Sequence, residues 1–128
     1  MFNVLFAHSD PKIVDLYHPR LAVHFSVDSA HDGLTALRKL KLAKPGLVVS
    51  DYDLPLLSGL ALLKFCRRQS AYASIPFIFL ADIANAQQAL SSGANDWLQL
   101  SSVTPDLLIG RIYGQLKLNR YGLQINRT

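Results

Sequence analysis

The chain has 128 residues, half of them apolar and 17% charged, with a formal net charge of +4. That length suits one domain, and that composition excludes disorder over most of the chain. No apolar run approaches the ~20 residues that span a bilayer, and the single cysteine, Cys66, excludes an internal disulfide and a multi-cysteine zinc site.

Met1-Phe2-Asn3-Val4 lacks a basic region, so no secretory signal is expected, and the reducing cytoplasm is the expected compartment. All nine acidic residues are aspartates. Asp favours caps, turns and sites over helix interiors, so each is expected to be placed for a local reason. The cationic excess is too small to argue for nucleic acid.

In chain order, residues 3–7 read as a short buried strand. Asp10-Pro11 reads as an N-cap followed by proline at the first helical position, and the helix is expected to end near His18, because Pro19 would break or kink it. Val23, Phe25 and Val27 alternate with His24, Ser26 and Asp28, the pattern of a half-buried strand near a sheet edge. Asp32-Gly33 opens a second helix with Leu34, Leu37 and Leu40 along one side, and Pro45-Gly46 ends it. Leu47-Val48-Val49-Ser50 predicts a fully buried parallel strand. Ser58 caps a helix from Gly59 to about Gln69, and residues 75–80 form another buried strand entered through Pro76. Asp82 or Asn85 caps a short alanine-rich helix that stops near Gly93, and residues 95–100 form a fifth strand. Thr104-Pro105-Asp106 opens a last helix running to about Leu118. Five strands alternating with five helices imply an α/β fold, a parallel sheet with helices on both faces. Residues 1–118 are expected to form the domain, and residues 119–128 a polar tail or the start of a linker.

In an open parallel sheet the ligand site lies beyond the carboxyl ends of the strands. The residues there are His8, Ser9 and Asp10 after the first strand, Asp51 after the third, Ala81 and Asp82 at the fourth, and Leu100 and Ser101 after the fifth. Asp51 alone is an acid directly ending a central strand. Following four residues expected to be buried, it is partly desolvated and needs partners.

The run Leu47-Val48-Val49-Ser50-Asp51-Tyr52-Asp53-Leu54-Pro55-Leu56-Leu57-Ser58-Gly59 resembles the phosphoacceptor strand and loop of bacterial response-regulator receiver domains. Asp32-Gly33, Ile75-Pro76 and Gly93-Ala94-Asn95-Asp96-Trp97 agree with that family in order and spacing, so the resemblance covers residues 2 to about 118. It implies a doubly wound, flavodoxin-like (βα)5 fold with strand order 2-1-3-4-5. It also implies signalling in a two-component system, with a histidine kinase or an output protein as partner.

By the same resemblance, Asp51 stands at the position that accepts a phosphoryl group. The family holds Mg2+ there with two acids after the first strand, the acceptor, and a backbone carbonyl two residues on, here that of Asp53. This chain has His8 and Ser9 in place of the acid pair, Ala81 in place of a Thr or Ser hydroxyl, and Leu100-Ser101 in place of a Lys-Pro pair. Imidazole suits softer metals than Mg2+, and Asp51 with the Asp53 carbonyl makes a weak metal site. Each missing donor or charge removes about 2–4 kcal/mol of transition-state stabilisation. A trans Leu100–Ser101 bond is expected. The leading expectation is therefore a degenerate receiver, not an enzyme, that needs no cofactor and acts through protein contacts. The alternative is a working phosphoacceptor, which would need Mg2+.

Several residues carry two readings. Asp10, Asp53 and Asp82 could form a rewired cation site, or act as caps and solvated acids. His8 could fill the vacated acid position and donate a hydrogen bond to Asp51, or simply pack. Trp97 aligns with the family's switching aromatic, and could be fixed in one rotamer or serve as an interface residue on the face of helix 4, strand 5 and helix 5. Gly110 and Gly114 could admit a close helix contact in a homodimer through that face. Cys66 reads as a packed residue, and His18, His24 and His31 as surface residues. The cations of the second and third helices read as a solvated face before a nucleic-acid surface, because no reading motif accompanies them. A flavodoxin-like enzyme of another kind is disfavoured by the lack of a phosphate-cradling glycine loop after the first strand.

Overall fold

Alternation along each strand divides the apolar residues between two layers. A computed structural model describes residues 1–82 and 86–116. Its strands are β1 (Asn3–Ala7), β2 (Ser26–Ala30), β3 (Leu47–Ser50), β4 (Phe77–Ala81) and β5 (Asp96–Gln99). They pair in parallel in the order β2-β1-β3-β4-β5. The helices are α1 (Pro11–Ala22), α2 (Gly33–Ala43), α3 (Gly59–Arg68), α4 (Ala86–Ser91) and α5 (Pro105–Leu116). Leu5, Val48, Phe77 and Phe79 point to one face and pack with Leu40 of α2, Leu62 and Cys66 of α3, and Ala89 of α4. Phe6, Val49, Ile78 and Leu80 point to the other face and meet Tyr17 and Leu21 of α1 and Leu108 and Ile112 of α5. No helix among the described residues is long and apolar enough to cross a membrane.

The caps fall where the sequence puts them. Asp10, Asp32, Ser58 and Thr104 accept from the backbone amides of Lys12, Thr35, Ala61 and Leu107. All described peptide bonds are trans.

Several expectations give way. Helix α1 runs through Pro19 to Ala22. Pro19 and Asp15, whose carbonyl loses its helical partner, both lie on the exposed side, where water can satisfy that oxygen. The Val23–Phe25 segment finishes the helix and turns, so β2 starts at Ser26; Val23 is exposed and Phe25 is buried. On α2 the buried stripe is Gly33, Ala36 and Leu40, leaving Leu34 half exposed. Strand β4 starts at Phe77, two residues later than expected, and β5 is the shorter Asp96–Gln99. A Cβ added at Gly110 or Gly114 would meet nothing within 4 Å, so neither glycine serves a close helix contact within the chain. Asn85, the end of the last helix at Leu118 and the tail 119–128 lie outside the described residues.

Candidate functional site

Register builds the site. Ala7 of β1 lies opposite Ser50 of β3, so the next residues, His8 and Asp51, emerge side by side at the carboxyl edge. The Asp51 amide donates to the Ala7 carbonyl at 2.8 Å, and the His8 amide to the Ala30 carbonyl at 2.9 Å. Both backbones are thereby fixed before the side chains meet.

The loop after Asp51 is shaped by close approach. A Cβ on Gly59 would stand 2.0 Å from the Asp51 carbonyl oxygen, and one on Gly33 would stand 1.7 Å from the Leu57 carbonyl oxygen. Glycine at both positions lets the N-termini of α3 and α2 press against the loop. The Gly59 amide donates to the Tyr52 carbonyl, and the Gly33 amide to the Pro55 carbonyl. Leu56 takes a left-handed conformation, φ +69°, at the bend between them.

Within this frame His8 is buried, while the Asp51 side chain keeps 18% of its surface. One Asp51 oxygen, Oδ1, accepts from the Tyr52 amide at 2.7 Å. The other, Oδ2, lies 3.6 Å from His8 Nε2. That is an electrostatic contact and too long for a hydrogen bond. On the far side of the ring, His8 Nδ1 accepts from the Asp10 amide at 3.2 Å. A ring that accepts at Nδ1 carries its hydrogen on Nε2 when neutral. Burial pushes the His8 pKa below its usual value, against the opposing pull of Asp51 and Asp10, so the imidazole is neutral at pH 7.

The metal question turns on these donors. A neutral imidazole ligates through the nitrogen without hydrogen, and here that nitrogen faces Asp10. The Asp10 carboxylate is engaged as the α1 cap, and Asp53 is exposed. Asp82 points elsewhere: its Oδ1 accepts from the Ser101 amide at 2.8 Å and from Gln99 Nε2 at 3.2 Å, tying the end of β4 to the loop after β5. The structure thus does not bring Asp10, Asp53 and Asp82 together, and among the described residues no three His, Cys, Asp or Glu side chains are grouped to hold a metal. Ser9 carries no carboxylate. This donor set does not fit Mg2+, which wants several hard oxygens in an octahedron.

Ala81 and Leu100 are apolar where they stand. Ala81 is buried in the layer under α2, α3 and α4, and Leu100 packs against the opposite layer, beneath α1 and α5. Trp97 lies inward, with its ring 5.6 Å from Tyr52 and 5.4 Å from Phe79. Its Nε1 is buried without a hydrogen-bond partner. Tyr52 lies 5.4 Å from Phe79 and reaches Gln88 of α4 through its hydroxyl at 3.3 Å. Sequence reasoning missed Tyr52 as the link from Asp51 to α4; its place immediately after a strand-ending acid was the available signal. It also missed the Asp82–Ser101 tie.

Other side chains named from the sequence have structural work. Arg67 donates to the carbonyls of Gly93 and Ala73 and to Asn95 Oδ1. Burial raises the Cys66 thiol to about 11, which makes it a packed, unreactive group. His18 contacts the Ser29 hydroxyl, and His24 the Tyr113 hydroxyl.

Comparison with known proteins agrees with this architecture. The TrcR transcriptional regulatory protein of Mycobacterium tuberculosis is 29% identical over 119 residues, covering 90% of this chain and 45% of that protein. The probable transcriptional regulator ycf27 of Porphyridium aerugineum is 30% identical over 116 residues, covering 90% of this chain and 48% of its own length. The chain therefore spans less than half the length of these curated relatives. Among solved structures, the receiver domain of the Francisella response regulator 1452 superposes with a TM-score of 0.86 at 28% identity, covering 94% of this chain and all of that one. The chemotaxis response regulator CheY4 of Vibrio cholerae gives 0.82 at 27% identity, covering 91% and 99%. The family description "Response regulator receiver domain" matches residues 4–111, and with the sheet order and strand-end geometry described above, this places the chain in the response regulator receiver domain family.

Proposed function

We propose that this receiver domain of two-component signalling passes its signal mainly by protein contact, with phosphorylation at Asp51 impaired or absent. The observation that carries the reading is the His8–Asp51 pair. A neutral imidazole, oriented by the Asp10 amide, presents N–H to the carboxylate where a metal-binding receiver needs acids. A carboxylate attacking a phosphoryl group needs charge neutralised around the group in transfer. His8, Ser9, Ala81 and Leu100 together supply no carboxylate for a metal, no hydroxyl at β4 and no cation at β5.

The inward Trp97 supports the same reading. With Ala81 in place of a hydroxyl, the ring fills the space against Phe79 and Tyr52. The α4–β5–α5 face is then held in one arrangement, with Asp96 paired to Arg111 across it. That face is our candidate for contact with a histidine kinase, an output partner or a second copy of the chain. Asp10, Asp53 and Asp82 act in this reading as cap, solvated acid and loop tie.

A second reading, phosphorylation of Asp51 with Mg2+, is favoured by one observation: Oδ2 is free of hydrogen bonds on a partly exposed side chain. Incubation with Mg2+ and a small phosphodonor, followed by intact mass, separates the two. We expect no phosphoryl adduct; ready formation of one, abolished by Asp51→Asn, refutes the leading reading.

A further inference from the structure

Charge is segregated along this chain. Helix α2 with its C-cap Lys44, and α3 with its flanking residues, hold seven of the thirteen Lys and Arg residues, and the one acid adjoining them is the α2 N-cap Asp32. Two of the seven are held by hydrogen bonds: Lys39 pairs with Asp28, and Arg67 is bonded to Gly93, Ala73 and Asn95. The other five are Arg38, Lys41, Lys44, Lys64 and Arg68, and all are exposed. Lys41 lies over the Phe65 ring of α3 at 5.2 Å, so the two helices present adjoining surface.

Apolar side chains lie among these cations. Leu34 is 50% exposed and Leu42 is 80% exposed, although the buried stripe of α2 runs along Gly33, Ala36 and Leu40. Leu34, Arg38 and Leu42 follow one another at i, i+4, i+8 and form a ridge on the outer side of the helix. A shallow groove of about 340 Å³ is lined by Leu34, Leu37, Arg38, Lys41 and Leu42. Leucines exposed at helical spacing, flanked by exposed cations of which Arg38 feels the Asp32 carboxylate at the start of the helix, match the pattern an amphipathic helix reads in a groove.

We propose that the outer face of α2, with the adjoining turn of α3, is a docking surface for an acidic amphipathic helix of a partner protein. Its leucines enter the groove between Leu34 and Leu42, and its carboxylates meet Arg38 and Lys41. The charge selects the sign of the partner, and the groove selects a helix over a polyanion. Phosphate backbones would engage the cations and leave the leucines uncovered. The 11 residues of α2 span about 16 Å, so the partner contributes three turns or so. None of the residues lining this groove belongs to the strand-end site around Asp51.

The test uses fluorescence anisotropy with a labelled synthetic peptide of about 14 residues, Leu on one face and Glu on the other. The wild-type protein is expected to bind it saturably, more weakly as salt rises. Charge reversal in Arg38→Glu/Lys41→Glu is expected to weaken binding by about tenfold or more, and Leu34→Ala/Leu42→Ala by about threefold or more. Lys12→Glu on α1 is expected to leave it unchanged. The leucine variant keeps the test valid if charge reversal disturbs folding, which circular dichroism reports. Equal affinity for both α2 variants, equal binding of a scrambled peptide, tighter binding of duplex DNA or phosphatidylserine vesicles, or no saturation by roughly millimolar protein overturns the proposal.

Discussion

Replacing His8 and Ser9 by aspartate tests the electrostatic reasoning about the strand ends directly. In His8→Asp/Ser9→Asp two carboxylates join Asp51 at the carboxyl edge, and the imidazole packed beside Phe6 is lost. Two like charges 4 Å apart repel by about 1 kcal/mol in bulk water and by about 4 kcal/mol at an effective dielectric of 20. The metal-free variant is therefore expected to be less stable than wild type by an amount in that range. A divalent cation should relieve it. At ten times its dissociation constant, a bound ion stabilises the fold by about 1.4 kcal/mol, or about 4–6 °C in Tm for a domain of this size. The assay is a thermal melt of both proteins in EDTA and in millimolar MgCl2. Wild type, with its neutral His8 and single carboxylate, should shift by less than about 1 °C. A wild-type shift as large as that of the variant refutes the view that the native donors do not fit Mg2+. A variant that ignores Mg2+ refutes the placement of these positions around Asp51.

Acid should destabilise the protein through His8. Its folded-state pKa lies below the usual 6.5 because of burial, so the unfolded chain takes up this proton first as pH falls. The contribution to stability is complete above pH 6.5 and is lost as pH drops from there through the lowered folded value. Urea unfolding at several pH values should show a shallower acid loss in His8→Gln; an unchanged slope contradicts the assignment. Gly59→Ala sets a Cβ against the Asp51 carbonyl, a backbone atom that cannot swing aside, and should cost about 1–3 kcal/mol or more in denaturant unfolding. Asp82→Ala removes the acceptor of the Ser101 amide, and hydrogen exchange at that amide should accelerate by roughly tenfold; exchange at the wild-type rate would mean the tie is not held in solution.

Much of the fold is legible in residues that act alone. The run from Leu47 to Ser50 sets β3 to the residue, and Asp10, Asp32, Ser58 and Thr104 mark helix starts because a cap is a contact with the next few amides. What resists reading is local signal outvoted by position. Val23 and Phe25 alternate like a strand, but the backbone there is completing α1, and burial of Phe25 comes from the turn. Pro19 breaks helices in general; here it falls on the solvent side, where water can satisfy an orphaned carbonyl. At the site, topology alone names the strand-end residues. Which atoms face each other is not legible, because His8's tautomer depends on where the Asp10 amide points, and Asp82 finds its donor 19 residues away in the chain.

The replacements at the strand ends argue for more than subtraction. Although the buried Nε atoms of His8 and Trp97 have no hydrogen-bond partner, most of the substituted positions make contacts of their own. His8 receives the Asp10 amide and faces Asp51. Leu100 joins the apolar layer beneath α1 and α5. Ser101 has an amide hydrogen that a proline lacks, and that hydrogen is the one Asp82 accepts. The end of β4 and the loop after β5 are thereby tied. The aromatic stack of Tyr52, Phe79 and Trp97 fills the space behind them. On the function proposed above, a partner meets a face already set in place, with the Asp82 tie and the packed indole left as they are. Under that proposal, the contacts around Asp51 serve recognition of one fixed state rather than switching between two.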